Sequence, residues 1–204
     1  MEKIRVSYCG SNFDCGSCIE GESCAVAKCV KARGIRFCGE CGEIPCEKLQ
    51  AVDKRFGNCY LNCQAVKREL VQEAREGLDP IAYCGFSCNH CFLGQWCGGC
   101  RSGYNCCSFA TISEGGVCAN VSCCQEKGFD GCWECSELEK CGKGYYSNTN
   151  EYMAKASAMF IRRYGKDKYI SMMENAEENG IREAEDWNKE GNCEKVLELM
   201  ERFL

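Results

Sequence analysis

A repeated spacing of cysteines constrains this chain more than any other feature of its sequence. Sixteen of its 24 cysteines fall into two sets of eight with similar spacing. The first set is Cys9, Cys15, Cys18, Cys24, Cys29, Cys38, Cys41 and Cys46. The second set is Cys91, Cys97, Cys100, Cys118, Cys123, Cys132, Cys135 and Cys141. We call the two sets together the cysteine ladder. A repeated spacing of this kind is typical of metal ligands, and the eight thiolates of one set complete two four-coordinate sites. The two sets therefore predict four all-cysteine sites.

The two sets align without a gap over residues 24–41 and 118–135, at an offset of 94. Upstream, an offset of 82 aligns Cys9 with Cys91 and leaves twelve extra residues in the second set. Cys9 can also be aligned with Cys84, because Tyr8-Cys9-Gly10 resembles Tyr83-Cys84-Gly85. The spacing to the next cysteine pair favours Cys91.

Four Cys-x-x-Cys pairs are the strongest local signals in the two sets. Two intervening residues bring both sulfurs to one metal, and adjacent glycines relieve the tight turn and free backbone N–H groups. The pairs are Cys15–Cys18, Cys38–Cys41, Cys97–Cys100 and Cys132–Cys135. Glu40 and Glu134 recur inside two of them, and we interpret them as solvated or hydrogen-bonding carboxylates rather than general bases. Spacing alone does not specify which four sulfurs share a metal.

Eight cysteines lie outside the repeat. Cys59 and Cys63, like Cys84 and Cys88, are four residues apart, which places two sulfurs on one face of a helix. We hypothesise that these four form a fifth metal site joining the two copies; the alternative is that some are small buried hydrophobes. The others are alternative ligands or free thiols, with Cys193 expected to be inert: Cys106, Cys107, Cys124 and Cys193. The lone histidine, His90, is interpreted as a packed or surface residue.

The charge and hydropathy of the chain exclude several classes of partner. Its formal charge is −5 with neutral thiols. Each divalent ion held by four thiolates adds −2, so four sites bring the charge to about −13. Such a chain is a poor ligand for phosphate backbones, which argues against nucleic acid. It shows neither a signal-peptide h-region nor an apolar span, so we expect a cytoplasmic, reduced protein without disulfides or a membrane partner.

The fold class predicted from these features is α-rich and irregular, stabilised by metal at zinc-knuckle-like turns. Short helices are expected at Cys24–Arg33 and Cys118–Lys127, each closed by a glycine. Apolar stripes after residue 148, such as Val196, Leu197 and Met200, are expected to pack as core onto the metal modules. The predicted organisation is a first cysteine-rich module, a helical linker, a second module and a C-terminal helical segment, at residues 1–56, 57–80, 81–147 and 148–204.

The sequence also resembles a known family. In the second copy the resemblance is carried by Ala82-Tyr83-Cys84-Gly85, Cys88, Cys91, Cys97, Cys100, Cys118, Cys123, Lys127-Gly128, Cys132 and Glu134-Cys135. The segment 38–49 and the tail around 160–165 are similar as well. The chain thus looks like a widespread family of small cysteine-rich bacterial and archaeal proteins, presumed to bind zinc and without an established function. The resemblance implies two tandem modules, the first truncated, and supplies no activity.

Two functions compete at this point. The first is a structural zinc protein with four or five all-cysteine sites, acting as an adaptor or regulator on a protein partner. The second is an iron–sulfur protein with [4Fe–4S]-type clusters that exchanges electrons with a redox partner. Fully ligated sites leave no open coordination position, and no catalytic constellation appears apart from the cysteines. We therefore do not expect an enzyme.

Overall fold

The structure is a computed structural model that describes residues 7–10, 15, 18, 20–56, 59–91, 94, 97–102, 118–182 and 184–204. The chain divides into two compact units, residues 1–73 and 74–204. In the described ranges the regular structure is helical, apart from an isolated antiparallel bridge between Ile81 and Ser87. The prediction of an α-rich fold is therefore confirmed.

Within its described residues, the first unit contains three α-helices: α1 (Ala25–Arg33), α2 (Glu47–Phe56) and α3 (Cys59–Arg75). The last two residues of α3 belong to the second unit. One 3₁₀ turn, Gly21–Ser23, precedes α1, and another, Cys38–Glu40, lies between α1 and α2.

In its described part, the second unit contains five α-helices: α4 (Ala119–Lys127), α5 (Met153–Tyr164), α6 (Lys166–Glu178), α7 (Ala184–Asn188) and α8 (Cys193–Glu201). Its 3₁₀ turns are Cys88–His90, Cys132–Glu134, Leu138–Lys140 and Gly144–Ser147. None of the helices in the described ranges is long and apolar enough to cross a membrane.

Helices α1 and α4 end in the same way. Gly34 and Gly128 follow them with φ angles of 65° and 66°, a left-handed conformation that glycine adopts without steric cost. Each glycine N–H donates to a carbonyl of the last turn, on Lys31 and Gln125 respectively. The two short helices and their glycine ends, predicted from the sequence, are confirmed.

The helices after residue 148 form most of the core of the second unit. Phe160 of α5 packs against Tyr169 of α6 with ring centroids 6.1 Å apart, and Trp187 of α7 is fully buried in the same cluster. The Tyr169 hydroxyl donates to Ser157 Oγ at 3.0 Å, so the buried phenol keeps a hydrogen-bond partner. Because α5 also contacts the turn Cys132–Glu134, this helical core supports the cysteine-rich part of its own unit.

The first unit has a smaller apolar core. Its buried side chains come from α1, α2 and the segment between them, and include Val26, Val30, Phe37, Leu49 and Val52. Buried cysteines complete the cluster, which is expected where a unit has too few aliphatic residues to fill its interior.

Candidate metal centres

A cavity of ≈ 240 Å³ in the first unit is lined by four cysteines of the first set. Cys29 comes from the middle of α1, Cys38 and Cys41 lie at the start and just after the end of the 3₁₀ turn, and Cys46 immediately precedes α2. Helix, turn and helix entry thus bring together four sulfurs that are up to 17 positions apart in the chain.

A smaller cavity, ≈ 20 Å³, occurs in the second unit and is lined by Cys123, Cys132, Cys135 and Cys141, together with Cys124. The first three lie at an offset of 94 from Cys29, Cys38 and Cys41. Matched members of the two cysteine sets therefore line a cavity in each unit.

The Cys-x-x-Cys turns in these two places have the same backbone geometry. Cys41 N donates to the Cys38 carbonyl at 3.0 Å, and Cys135 N donates to the Cys132 carbonyl at 3.1 Å. The intervening glutamate closes the preceding turn in both cases.

Glu40 Oε2 accepts from Arg36 N at 2.7 Å, and Glu134 Oε2 accepts from Asp130 N at 2.9 Å. A carboxylate hydrogen-bonded to a backbone N–H four residues earlier holds the cysteine turn in place. Both glutamates therefore act as hydrogen-bond acceptors, which is the role that the sequence favoured over general-base chemistry.

A basic side chain from the last turn of a helix lies beside a cysteine sulfur in each unit. Arg33 Nη1 lies 3.4 Å from Cys41 Sγ, and Lys127 Nζ lies 3.8 Å from Cys135 Sγ. Residue 127 is at an offset of 94 from residue 33. The charges of Cys123 and Cys135 as thiolates raise the pKa of Lys127, so this cation offsets part of the negative charge of a thiolate site.

Burial keeps the inner thiols neutral in the absence of a cation. Burial, followed by the charges of Cys46, Cys41 and Cys29, raises the pKa of Cys38 to about 12. Burial also raises the pKa of Cys132. A metal ion bound in either cavity would lower the pKa of these thiols, because metal ligation deprotonates them.

The remaining cysteines of the first set form a second neighbourhood in the first unit. Burial raises the pKa of Cys15, and the charges of Cys9, Cys18 and Cys24 raise it further, although Tyr8 N donates to its sulfur at 3.2 Å. These four thiols are the complement of the four that line the cavity.

In the second unit the corresponding neighbourhood holds six cysteines. Burial raises the pKa of Cys88 to about 12, and the charges of Cys100, Cys97 and Cys91 add to it. Burial raises the pKa of Cys84 well above its usual value, with Cys100, Cys118 and also Cys132 of the second cavity contributing. The six are Cys84, Cys88, Cys91, Cys97, Cys100 and Cys118.

The backbone decides between the two alignments of the N-terminal cysteines. Cys38 N donates to the Tyr8 carbonyl at 2.9 Å, and Cys132 N donates to the Tyr83 carbonyl at 2.8 Å. The structural counterpart of Cys9 is therefore Cys84. The alignment with Cys91, which the spacing favoured, does not match the backbone, because the segment after Tyr83 is longer than the one after Tyr8.

The glycine after each of these cysteines packs directly on a helix. A Cβ on Gly10, at φ 77°, would lie 2.8 Å from Cys63 N and 2.9 Å from the Cys59 carbonyl oxygen of α3. A Cβ on Gly85, at φ 92°, would lie 2.6 Å from one backbone nitrogen and 2.9 Å from one carbonyl oxygen of α5. Only glycine allows a helix to approach this closely.

The two α5 atoms belong to Ala158 and Ala154. Cys59 and Cys63 thus occupy on α3 the places that these alanines occupy on α5, and all four side chains are buried. This equivalence supports the interpretation of Cys59 and Cys63 as small packing residues. That they share a fifth site with Cys84 and Cys88 stays a hypothesis.

The other candidates are placed as follows. His90 Nδ1 lies 2.8 Å from Ser87 Oγ, and its Nε2 lies 3.6 Å from Glu177 Oε2. Cys193 Sγ lies 3.8 Å from the Tyr152 carbonyl oxygen, in the helical segment. Cys106 and Cys107 lie outside the described residues.

Cys124 is the residue at these sites that sequence reasoning left unassigned. The sequence contains an indication of its place. In the gap-free alignment of residues 24–41 with 118–135, Cys124 corresponds to the apolar Val30, so it belongs on the inner side of the helix.

All cysteines in the described part of the chain are free thiols. Within these ranges, no three cysteine, histidine, aspartate or glutamate side chains are placed as the ligands of one metal ion. The sulfurs of each group therefore line a shared space without converging on a single point.

The fold and these sites define a helix-rich protein in which each unit contains a cavity lined by cysteines. Residues 1–51, a quarter of the chain that includes the whole first set, match the model of a family described as a protein of unknown function (DUF3795). No curated protein and no solved structure matches the chain. The expected resemblance to an uncharacterised family is thus supported for the first module, and its extension to the second stays a prediction.

Proposed function

We propose that this chain binds thiolate-preferring metal ions at all-cysteine sites, two of which are Cys29/Cys38/Cys41/Cys46 and Cys123/Cys132/Cys135/Cys141. The observation that carries the proposal is the recurrence of a cysteine-lined cavity at matched positions of the ladder in both units. Chance clustering of a cysteine-rich chain would not reproduce the same turn, the same glutamate hydrogen bond and a basic side chain at the matched position twice.

The ion we propose is zinc, bound structurally. Four thiolates complete a tetrahedral site and leave no position for a substrate. The cavity of the second unit, ≈ 20 Å³, has room for about one water-sized particle, which suits a single ion better than a multi-atom cluster. The sulfurs must draw together to reach the Zn–S distance of about 2.3 Å. The role that follows is an adaptor or regulator in which zinc holds cysteine-rich surfaces in shape.

An iron–sulfur cluster is the alternative for the first unit. Its cavity of ≈ 240 Å³ has room for more than a single ion, and four cysteines suit a cubane cluster as well as zinc. The two metal types give a site of the same net charge, so electrostatics does not separate them.

The other cysteines support two further sites, one in each unit. In the first unit the proposed ligands are Cys9, Cys15, Cys18 and Cys24. In the second they come from the six neighbouring thiols, where Cys84 takes the place of Cys9. This arrangement is the basis for regarding the chain as two tandem modules, each followed by a packing helix, α3 or α5.

Metal analysis of the purified chain tests the proposal. We expect a colourless protein, purified without oxygen, with about four zinc ions per chain, as four tetrathiolate sites require. Visible spectroscopy combined with zinc, iron and acid-labile sulfide determination measures this. A brown protein with labile sulfide would establish the alternative, and a metal-free reduced chain would overturn both.

Replacing Cys59 and Cys63 together by alanine tests whether they are ligands. We expect unchanged metal stoichiometry and a change in the free energy of unfolding of about 1 kcal/mol or less per site, because alanine is the residue at the equivalent positions of α5. The measurement is metal content beside denaturant unfolding. Loss of one metal ion per chain would instead show that Cys59 and Cys63 are ligands of a fifth site.

A further inference from the structure

The inner walls of the two cysteine-lined cavities differ at two positions. In the first unit Val26 and Val30 face the cavity from α1. At an offset of 94, α4 places Asn120 and Cys124 there instead. All four side chains are buried, so the second cavity has a polar, thiol-bearing wall where the first is aliphatic.

Both replacements contact the same sulfur. Cys124 Sγ lies 3.7 Å from Cys132 Sγ, and Asn120 Nδ2 donates to Cys132 Sγ at 3.6 Å. Tyr145 N donates to the side-chain oxygen Oδ1 of Asn120 at 2.7 Å, which fixes the amide so that its N–H₂ group points at the sulfur. Cys132 is thus a proposed ligand with a fifth thiol and a fixed hydrogen-bond donor beside it.

We propose that Cys124 and Cys132 form an oxidation site for small hydroperoxides, at which disulfide formation removes Cys132 from the metal and releases the ion from the second cavity. This inference rests on the proposed metal binding. A disulfide bond is about 2.05 Å long, so the two sulfurs, which are 3.7 Å apart, must approach by about 1.7 Å. The first cavity has Val30 at the corresponding place and lacks this partner.

The chemistry balances with the hydroperoxide as the only oxidant. The Cys132 thiolate attacks the peroxide oxygen, an S–O bond forms, and the O–O bond breaks with loss of hydroxide or alkoxide. The Cys124 sulfur then attacks the Cys132 sulfur, an S–S bond forms, and the S–O bond breaks. The Cys124 proton leaves with that oxygen as water. Two sulfurs lose two electrons, and the peroxide gains them.

The first unit also has a buried thiol near one of the proposed ligands. Cys63 of α3 lies near Cys38, but its sulfur donates to the Cys9 carbonyl at 3.2 Å. Cys124 instead has the Cys132 sulfur as its partner. We therefore expect the second cavity to lose its ion first.

The test uses the full reduced chain, loaded with zinc and exposed to hydrogen peroxide, with zinc release followed by a chromogenic chelator. The informative variant is Cys124→Val, which installs the residue of position 30. We expect it to slow release of the first ion about tenfold or more, because an intramolecular thiol is replaced by a bimolecular reaction. Cys193→Ser is the control for loss of an unrelated thiol and should release zinc like the parent chain. The reciprocal variant Val30→Cys should speed release from the first cavity.

Peptide mapping supplies a readout that does not depend on metal. Trypsin cleaves after Arg101, Lys127 and Lys140, so the Cys124–Cys132 disulfide joins the peptides 102–127 and 128–140. Because these peptides contain five and two cysteines, tandem mass spectrometry of the linked pair identifies which two are joined. We expect this pair in the oxidised parent chain, both zinc-loaded and metal-free. A Cys124→Val chain that releases zinc as fast as the parent, or an oxidised parent in which Cys132 pairs with another cysteine, overturns the inference. Absence of zinc from every reduced variant overturns the proposed function instead, while the mapping of the metal-free chain still decides the oxidation site.

Discussion

Replacing Cys38 by serine is expected to remove one metal ion per chain and to unfold the cysteine-rich part of the first unit. Cys38 is buried, lines the cavity, and starts the turn that also carries Cys41. A structural zinc site contributes about 10–16 kcal/mol of apparent binding energy. That is as large as the whole stability of a typical domain, about 5–15 kcal/mol. The small apolar core of the first unit cannot replace such a contribution.

The matching variant Cys132→Ser is expected to do the same at the second site. Because the two cavities belong to different units, the effects on metal content should add, and the double variant should lose two ions. Metal analysis and thermal unfolding followed by circular dichroism measure both quantities. Cys193→Ser is the control, since that thiol lies in the helical segment and should leave metal content and unfolding unchanged. A Cys38→Ser chain with full metal content and an unshifted transition would remove the first site from the proposal.

Local features of this fold were predictable from the sequence, and long-range pairings were not. The ends of α1 and α4 follow from glycine at the position where a helix turns left-handed, which is a property of a few consecutive residues. The grouping of cysteines depends on which turn faces which helix. That information lies in tertiary packing, which a spacing of thiols does not encode.

The aromatic residues beside the cysteine turns explain why a comparison of the two copies by position reveals only part of their similarity. In the first unit Phe37 precedes Cys38, and its ring occupies the space beside Gly39. In the second unit Gly131 precedes Cys132, and the ring of Trp133 occupies the space beside that glycine. An aromatic ring and a glycine have exchanged positions across the cysteine, so a comparison by position finds two mismatches where the packing is the same.

Cys59 and Cys63 show that one spacing is compatible with two roles, and their membership of a fifth site stays a hypothesis. Their i, i+4 spacing suits a metal pair, but it also suits the small residues on which a glycine turn packs. Only the close approach of Gly10 to α3, and of Gly85 to α5, reveals that cysteine and alanine fill the same place in the two units. In a chain this rich in cysteine, spacing alone does not distinguish cysteines that pack in the core from cysteines proposed as metal ligands.

Replacing Phe160 by alanine is expected to weaken the second metal site without touching its cysteines. Phe160 is fully buried in α5, with its ring 4.8 Å from that of Tyr164 and 6.1 Å from that of Tyr169. Truncation of a buried phenylalanine costs about 3–5 kcal/mol. The same helix carries Arg162, whose Nε donates to the Trp133 carbonyl at 2.9 Å and whose guanidinium also bonds the Cys135 carbonyl.

Helix α5 therefore holds the backbone of the cysteine turn, so loosening α5 should raise the dissociation constant of the ion bound there. A ligand that binds only the folded state shares its free energy with folding, and destabilising the fold lowers apparent affinity in return. Leu49→Ala, at a fully buried position in the first unit, is the matched variant and should cost about 2–5 kcal/mol there. Denaturant unfolding and chelator competition, followed site by site, should show each variant weakening the ion of its own unit. If Phe160→Ala weakens both ions equally, or neither, the helical core does not support the second site.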